Sequence, residues 1–193
     1  MRDIITSARL TLRHFTLADV PAMCPLIGNY DVAKMLARAP YPYAPSDGEN
    51  WIATHPEARA AGTAYPYAII LTHSGEFIGG IGLHQTTRLE EIARAKYEIG
   101  YWLGEPYWGK GYATEAGSAL IGAFDEDLGP APLVSGHFTE NPQSGHVLEK
   151  LGFHYVGAQT TLFCVARNED VPDLSMLRPP STQTTYPERS MTL

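Results

Sequence analysis

The chain has 193 residues, the size of one domain, and 44% of them are apolar, enough to bury a sizeable core. Its net charge of −7, from 14 Lys and Arg against 21 Asp and Glu, argues against nucleic acid as the main partner, because phosphate contacts need a basic face; the same acidity suits a cationic amine, or serves solubility alone. Cys24 and Cys164 lack CxxC spacing and read as buried free thiols, no apolar run is long enough to span a bilayer, and Met1-Arg2-Asp3-Ile4 lacks the apolar region of a signal peptide, so the expectation is a cytoplasmic protein with no membrane partner.

Ala8 to Phe15 alternates Leu10 and Leu12 with Thr11 and Arg13, the pattern of a strand with one wet face. Thr16, with Asp19 three residues on, opens a helix to about Gly28 whose apolar positions are Leu17, Val20, Met23 and Ile27. Ala39 to Pro45 carries three prolines and is expected to be an extended linker presenting Tyr41 and Tyr43. Ser46 or Asp47 caps a second helix, about Gly48 to Ala61. Tyr65–Thr72 and Phe77–His84 read as strands joined by a tight turn at His73-Ser74-Gly75-Glu76. Gly79, Gly80 and Gly82 inside the second strand imply close approach of another backbone or a ligand.

Thr87 to Ala93 is a polar connection, and Arg94 to Leu103 the next strand. A long helix follows from Lys110 to about Asp127, with Ala113, Ala116, Leu120 and Phe124 on one stripe and Gly129-Pro130 as its stop. Pro132–Thr139 reads as a strand, Asn141–Leu151 as a helix, and Phe153–Gln159 and Thr161–Arg167 as two final strands. Residues 1–175 form the expected single domain. Residues 176–193 form a tail with little apolar content, loose or docked on a neighbour. Early hairpins and a later β-α-β order imply an α/β (α+β) fold: a mixed, mostly antiparallel sheet of six or seven strands with one parallel pair and helices on both faces.

The most informative stretch runs from Tyr97 to Ala116: a strand, a glycine loop, then a helix. That order aims unpaired N–H groups and the positive end of a helix dipole at one spot, which binds phosphate. Gly104-x-x-x-x-Gly109-Lys110 approaches a nucleotide-binding P-loop, but Gly111 stands where that motif needs a magnesium-binding hydroxyl, and Pro106, Tyr107 and Trp108 make the loop bulky. A pyrophosphate needing no metal fits better.

Trp108-Gly109-Lys110-Gly111-Tyr112-Ala113-Thr114-Glu115-Ala116 resembles the acetyl-CoA motif of the GNAT superfamily of N-acetyltransferases. Trp108 stands at the usual Gln or Arg position, as in the branch resembling ribosomal-protein alanine acetyltransferases (RimJ/RimL-like). Asn141 to Phe153 resembles the late GNAT helix and following strand. Leu148 occupies the position where many members carry a tyrosine acid, and Ser144, three residues after Asn141, is the serine of the Rim-like branch. The resemblance covers about residues 8 to 168. It implies a parallel strand pair that splays to admit pantetheine, and acetyl-CoA as co-substrate.

On this resemblance the backbone of Gly109, Lys110, Gly111, Tyr112, Ala113 and Thr114 cradles the pyrophosphate, and that of Trp102, Leu103 and Gly104 pairs with pantetheine. Lys110 either adds charge near phosphate or is solvated. Glu98, expected to be partly desolvated between Tyr97 and Ile99, is the candidate general base, acting directly or through a water; the structural alternative is an ion pair with Lys96 or Arg94. Ser144 is the candidate acid for the thiolate, and otherwise a first-turn helix residue. Asn141 is an N-cap, a cofactor ligand, or both. Tyr41, Tyr43 and His84, with His137, are candidates to touch the acceptor, the tyrosines alternatively covering the core. Glu115 serves the helix dipole. The seven histidines show no HxxxH or HxH spacing, so no metal is expected. The leading expectation is acetyl transfer to a primary amine, either a protein or peptide α-amino group or a small molecule, with a homodimer left open. The alternatives are a non-catalytic acyl-CoA-binding module, which Leu148 favours, and, third, a nucleotide triphosphatase.

Overall fold

A computed structural model describes residues 1–88 and 95–181. The connection expected at Thr87–Ala93 lies mostly outside the described residues, as do Arg94 and the tail beyond Ser181. Eight strands form one sheet: β1 (Ile4–Thr6), β2 (Leu10–Arg13), β3 (Ala64–Leu71), β4 (Phe77–Gln85), β5 (Tyr97–Leu103), β6 (Leu133–Phe138), β7 (His154–Cys164) and β8 (Glu169–Arg178). Their order is β1-β2-β3-β4-β5-β6-β8-β7, antiparallel throughout except for β5 and β6. The described helices are α1 (Val20–Ile27), α2 (Tyr30–Ala33), α3 (Pro45–Ala53), α4 (His55–Ala60), α5 (Tyr112–Leu128) and α6 (Pro142–Lys150).

The sheet is buried on both faces because β3 alternates apolar residues in both directions. Tyr67 and Ile69 join Leu10, Leu12, Ile99 and Leu148 under α5 and α6. Ala68 and Ile70 turn the other way, to Phe15, Met23, Ile27 and Ile52 under α1 and α3. The glycines of β4 have the reason expected of them: a Cβ at Gly79 would strike the Trp102 carbonyl, and one at Gly80 would meet the Trp102 indole and Phe15. Asp19, 5% exposed, ties β2 to α1 by accepting from both terminal nitrogens of Arg13 and from the Thr16 N–H.

Several elements differ from the sequence reading. The helix expected at Gly48–Ala61 starts at Pro45 and splits at Thr54, because Pro56 has no N–H to give to Ile52 and its ring crowds that turn. Helix α5 starts at Tyr112 rather than Lys110: Gly109 and Gly111 take φ of 72° and 80°, which no helix permits. The two final strands expected over 153–167 are one strand, β7, with a register shift at Gly157, whose φ is 75°. β1 and β8 were not anticipated, which raises the strand count from six or seven to eight. β8 passes through 176–178, residues assigned to the tail; Met176 is fully buried, and Arg178 and Ser181 both bond Asp125 on α5.

His55, at the start of α4, is 8% exposed, its ring set edge-on to Phe15 and Trp51, and neither ring nitrogen has a partner among the described residues. Burial, with the charges of Arg59 and His14, pushes it down to about 4 from 6.5. The unfolded chain therefore takes up a proton that the folded state refuses. Stability is lost as pH falls from 6.5 toward about 4, reaching about 3 kcal/mol. Urea unfolding of His55→Leu should show an advantage over the parent that grows across this window; a pH-independent difference would refute the assignment.

Candidate active site

Beyond Glu98 and Val134 the parallel strands part. Their register holds for only two pairs, Tyr97 with Leu133 and Glu98 with Val134. Just past the last pair, the Ser135 hydroxyl donates to the Ile99 carbonyl at 2.9 Å and closes the foot of the gap. Above it a cleft of about 1570 Å³ runs between the strands.

The phase of the β4–β5 ladder decides which backbone groups face this cleft. The Gly104 N–H donates to Ile78 on the β4 side at 3.0 Å. Backbone direction alternates along a strand, so Gly100, Trp102 and Gly104 turn their polar groups to β4, whereas Ile99, Tyr101 and Leu103 turn theirs to the gap. The Leu103 carbonyl is already taken by the Trp108 indole N–H at 2.8 Å. What remains open is the N–H and C=O of Tyr101 and the N–H of Leu103. This corrects the expectation for Trp102 and Gly104. The Trp102 side chain lines the cleft while its backbone serves the sheet. Gly104 uses its N–H on Ile78 and its carbonyl on Tyr107, and its missing Cβ admits Leu26 of α1.

The glycine turn stands at the cleft's edge. Gly109, Gly111, Tyr112, Ala113 and Thr114 line it, and a Cβ on Gly109 would meet nothing within 4 Å. The N–H groups of Tyr112, Ala113 and Thr114 open α5 and have no carbonyl one turn back within the helix. Lys110 is exposed, its Nζ 5.8 Å from the Tyr107 ring centre and outside the lining. The cation that braces the turn is Arg9, missed in the sequence: Nη1 donates to the Lys110 carbonyl at 3.1 Å, Nε to Glu115 at 2.7 Å, and the guanidinium lies over Tyr112. Glu115 thus does more than face a dipole; it also accepts from the Arg9 N–H and the Ser7 hydroxyl.

Ser144 and Asn141 lie at the start of α6. The Asn141 side-chain oxygen accepts from the Ser144 N–H at 3.2 Å, which is N-capping. The Ser144 hydroxyl shares a hydrogen bond of 2.8 Å with the phenol of Tyr101, another residue the sequence reading missed. Burial pushes the Tyr101 phenol up to about 12, against the Ser144 bond. Strand alternation was the available signal for Tyr101, since it shares the face of Ile99 and Leu103. Leu148 is fully buried in the core, so its position does not reach the cleft surface.

On the opposite face Glu98 pairs across strands with His84, and both line the cleft. The Thr86 hydroxyl donates to Glu98 Oε2 at 2.9 Å, and Arg88 Nε stands 3.1 Å from Oε1. The ion pair weighed for Glu98 therefore exists, but with Arg88 rather than Lys96; Arg94 lies outside the described residues. Tyr43 lines the same side, its phenol pushed up to about 12 by burial and then by Cys24 and Asp47. Tyr41 does not line it: the ring packs against Tyr30 at 4.9 Å and is half exposed. His137 lines the cleft with both nitrogens engaged, by the Phe138 carbonyl and the Tyr155 hydroxyl. Residues 34–37 form part of the wall and are gripped by the β7–β8 turn: Arg167 Nε donates to the Lys34 carbonyl, the Cys164 thiol to Leu36, and the Val165 N–H to Ala37. Cys24 is partly exposed, Cys164 buried, and both are free. Among the described residues no three His, Cys, Asp or Glu side chains group as a metal site.

Residues 9–154 match the family described as an acetyltransferase (GNAT) domain. An uncharacterized N-acetyltransferase from Bacillus licheniformis is 30% identical over 80% of this chain and 84% of its own. A putative ribosomal N-acetyltransferase from Bacillus subtilis is 32% identical over 56% of this chain and 57% of its own. Among solved structures, an acetyltransferase from Salmonella typhimurium described as modifying the N-terminal serine of a ribosomal protein aligns with a TM-score of 0.75 at 19% identity, over 91% of this chain and 98% of that one. A microcin self-immunity acetyltransferase in complex with acetyl-CoA and AMP aligns with a TM-score of 0.75 at 19% identity, over 90% and 93%.

The Glu115 contacts yield a test of the brace. Burial raises its carboxyl, but the bonds from Ser7 and Arg9 outweigh this and hold it below the usual 4.5. Its stabilisation is thus present above the ordinary carboxylate range and lost as pH falls through the lower folded value. Because Arg9 is half exposed, Glu115→Gln should cost roughly 1 kcal/mol at neutral pH, with the difference shrinking in acid, as read by urea unfolding.

Proposed function

The chain belongs to the GNAT acetyltransferase family, and from that premise we propose an acetyl-CoA-dependent N-acetyltransferase that moves acetyl to a primary amine by direct attack on the thioester. The observation that carries this is the cleft through the sheet, with open Tyr101 and Leu103 backbone along one wall and the unpaired N–H groups of the glycine turn at its edge. The residues fit acetyl-CoA: two left-handed glycines, one of them with open space before it, a helix start and backbone donors can hold a pyrophosphate without a cation. Asn141 keeps its side-chain N–H groups free for a pantetheine amide while its oxygen caps α6.

The amine approaches on the Glu98 and His84 face, and proton removal falls to that pair. The leaving thiolate is met on the other face by the Ser144 hydroxyl, backed by Tyr101. A serine hydroxyl is a weak acid, so it hydrogen-bonds the sulfur while Tyr101 or water supplies the proton. This arrangement weighs against a module that lost its chemistry, since Tyr101 brings a phenol to the sulfur side although Leu148 does not. For the acceptor we propose a protein or peptide α-amino group; the Salmonella relative described as acting on an N-terminal serine supports that choice.

Acetyl-CoA should raise the melting temperature without magnesium, and Mg-ATP should not. Gly111→Val, strained at φ 80°, should weaken acetyl-CoA at least about tenfold. Glu98→Gln should lower turnover roughly tenfold or more while leaving acetyl-CoA affinity intact by calorimetry. Unaltered turnover, or heat of binding absent in the parent, removes the corresponding part of the reading.

A further inference from the structure

Both oxygens of Glu98 are committed, one to the Arg88 guanidinium and one to the Thr86 hydroxyl. Arg88 is itself fixed. It lies across Gly136 of β6, where a Cβ would stand 2.5 Å from its Nη1, and is anchored on β8 by Asp173 and by Ser175 Oγ at 3.0 Å. Asp173 is buried and Arg88 mostly so, with side chains 2% and 14% exposed. A carboxylate with both oxygens so engaged is fixed in place, with Arg88 and Thr86 setting its orientation toward its neighbour on β4.

His84 has no such commitment. It is the cross-strand partner of Glu98 on the same face, its ring lines the cleft, and its Nε2 stands 3.7 Å from Glu98 Oε2. A proton kept on Nε2 beside the carboxylate leaves the Nδ1 lone pair free. The charged groups facing the ring are Glu98 from β5, Arg38 from the segment before α3, and Arg88 from the segment after β4. Burial, helped by the two arginines, holds the imidazole below its usual 6.5 against the pull of Glu98, so it is neutral and basic at neutral pH.

We propose that His84 is the catalytic base that takes the acceptor's proton, and that Glu98, locked by Arg88, is the positioning residue that orients the imidazole and stabilises its charged form. This rests on the acetyl-transfer reading above and assigns roles within it. One proton passes from the acceptor ammonium to His84, leaving a neutral amine. The amine nitrogen bonds to the thioester carbonyl carbon as the C–S bond breaks, with its electron pair leaving on sulfur. The second ammonium proton, on the new amide nitrogen, ends on the thiolate, and the imidazolium returns its proton to solvent.

The test is kcat/KM from about pH 5 to 9 for the parent, His84→Gln and Glu98→Gln, using acetyl-CoA with short peptides bearing free N-terminal Ser or Ala and reading thiol release. The parent should lose rate in acid through an apparent pKa below 6.5. His84→Gln should fall roughly 100- to 10,000-fold and lack that limb. Imidazole added to His84→Ala should restore part of the rate. Glu98→Gln should keep the limb but displace it to lower pH, because the carboxylate that favours the imidazolium is gone, and NMR titration of the His84 ring should move the same way. Unchanged acetyl-CoA affinity and melting temperature separate a lost base from a misfolded protein. A limb that survives in His84→Gln and vanishes in Glu98→Gln makes Glu98 the base and overturns the proposal. A parent that releases no thiol with any amine sinks the acetyl-transfer reading, and the proposal with it.

Discussion

The organisation depends on two parallel strands that stop pairing. A buried sheet satisfies its backbone polar groups by laddering, and leaving them open costs free energy unless something else takes their place. β5 and β6 are joined at Tyr97 and Glu98 and then diverge, so the gap side of β5 presents groups that the sheet does not satisfy. Two devices limit that cost. The Ser135 hydroxyl caps Ile99 at the bottom, and the Trp108 indole caps Leu103 at the top. The stretch left between them, around Tyr101, is the length of strand available to a ligand's amides. Trp108 is thus a structural brace, which accounts for a half-exposed tryptophan in a glycine-rich loop.

Much of this was legible in the sequence. Alternation marked β2, the tight turn at residues 73–76 marked the β3–β4 hairpin, the glycine turn marked the approach to α5, and Asn141 marked α6. What escaped has physical reasons. β8 was invisible because its inward positions include Asp173 and Ser175, which are polar so that they can hold Arg88; the chemistry of the site disguised the strand that carries it. β1 was too short to show a period. Arg88 sat in what read as a polar connection, and nothing local could say that its partner lies 85 residues further on. The two tyrosines of the proline-rich segment looked equivalent, yet only Tyr43 lines the cleft, because the chain there turns Tyr41 outward onto Tyr30. Arg9 was read as part of a plain strand, although it crosses to α5 and braces the glycine turn through the Lys110 carbonyl and Glu115.

The two faces of the sheet carry different kinds of polar group. Toward α6 the cleft holds neutral hydroxyls, Tyr101 and Ser144, in an apolar setting. Toward α1 it holds ionised groups that neutralise one another in sequence: Asp173, Arg88 and Glu98, ending at His84. Buried charges survive only when paired, and here the pairing links β5 and β8 through one guanidinium.

The grip of the β7–β8 turn on residues 34–37 acts mainly through main-chain oxygens, those of Lys34, Leu36 and Ala37, with a lesser contact from Arg167 to the Met35 sulfur. Such a hold depends little on which side chains the gripped segment displays. The side chains of that rim can therefore vary at several positions while its backbone keeps its footing on the turn.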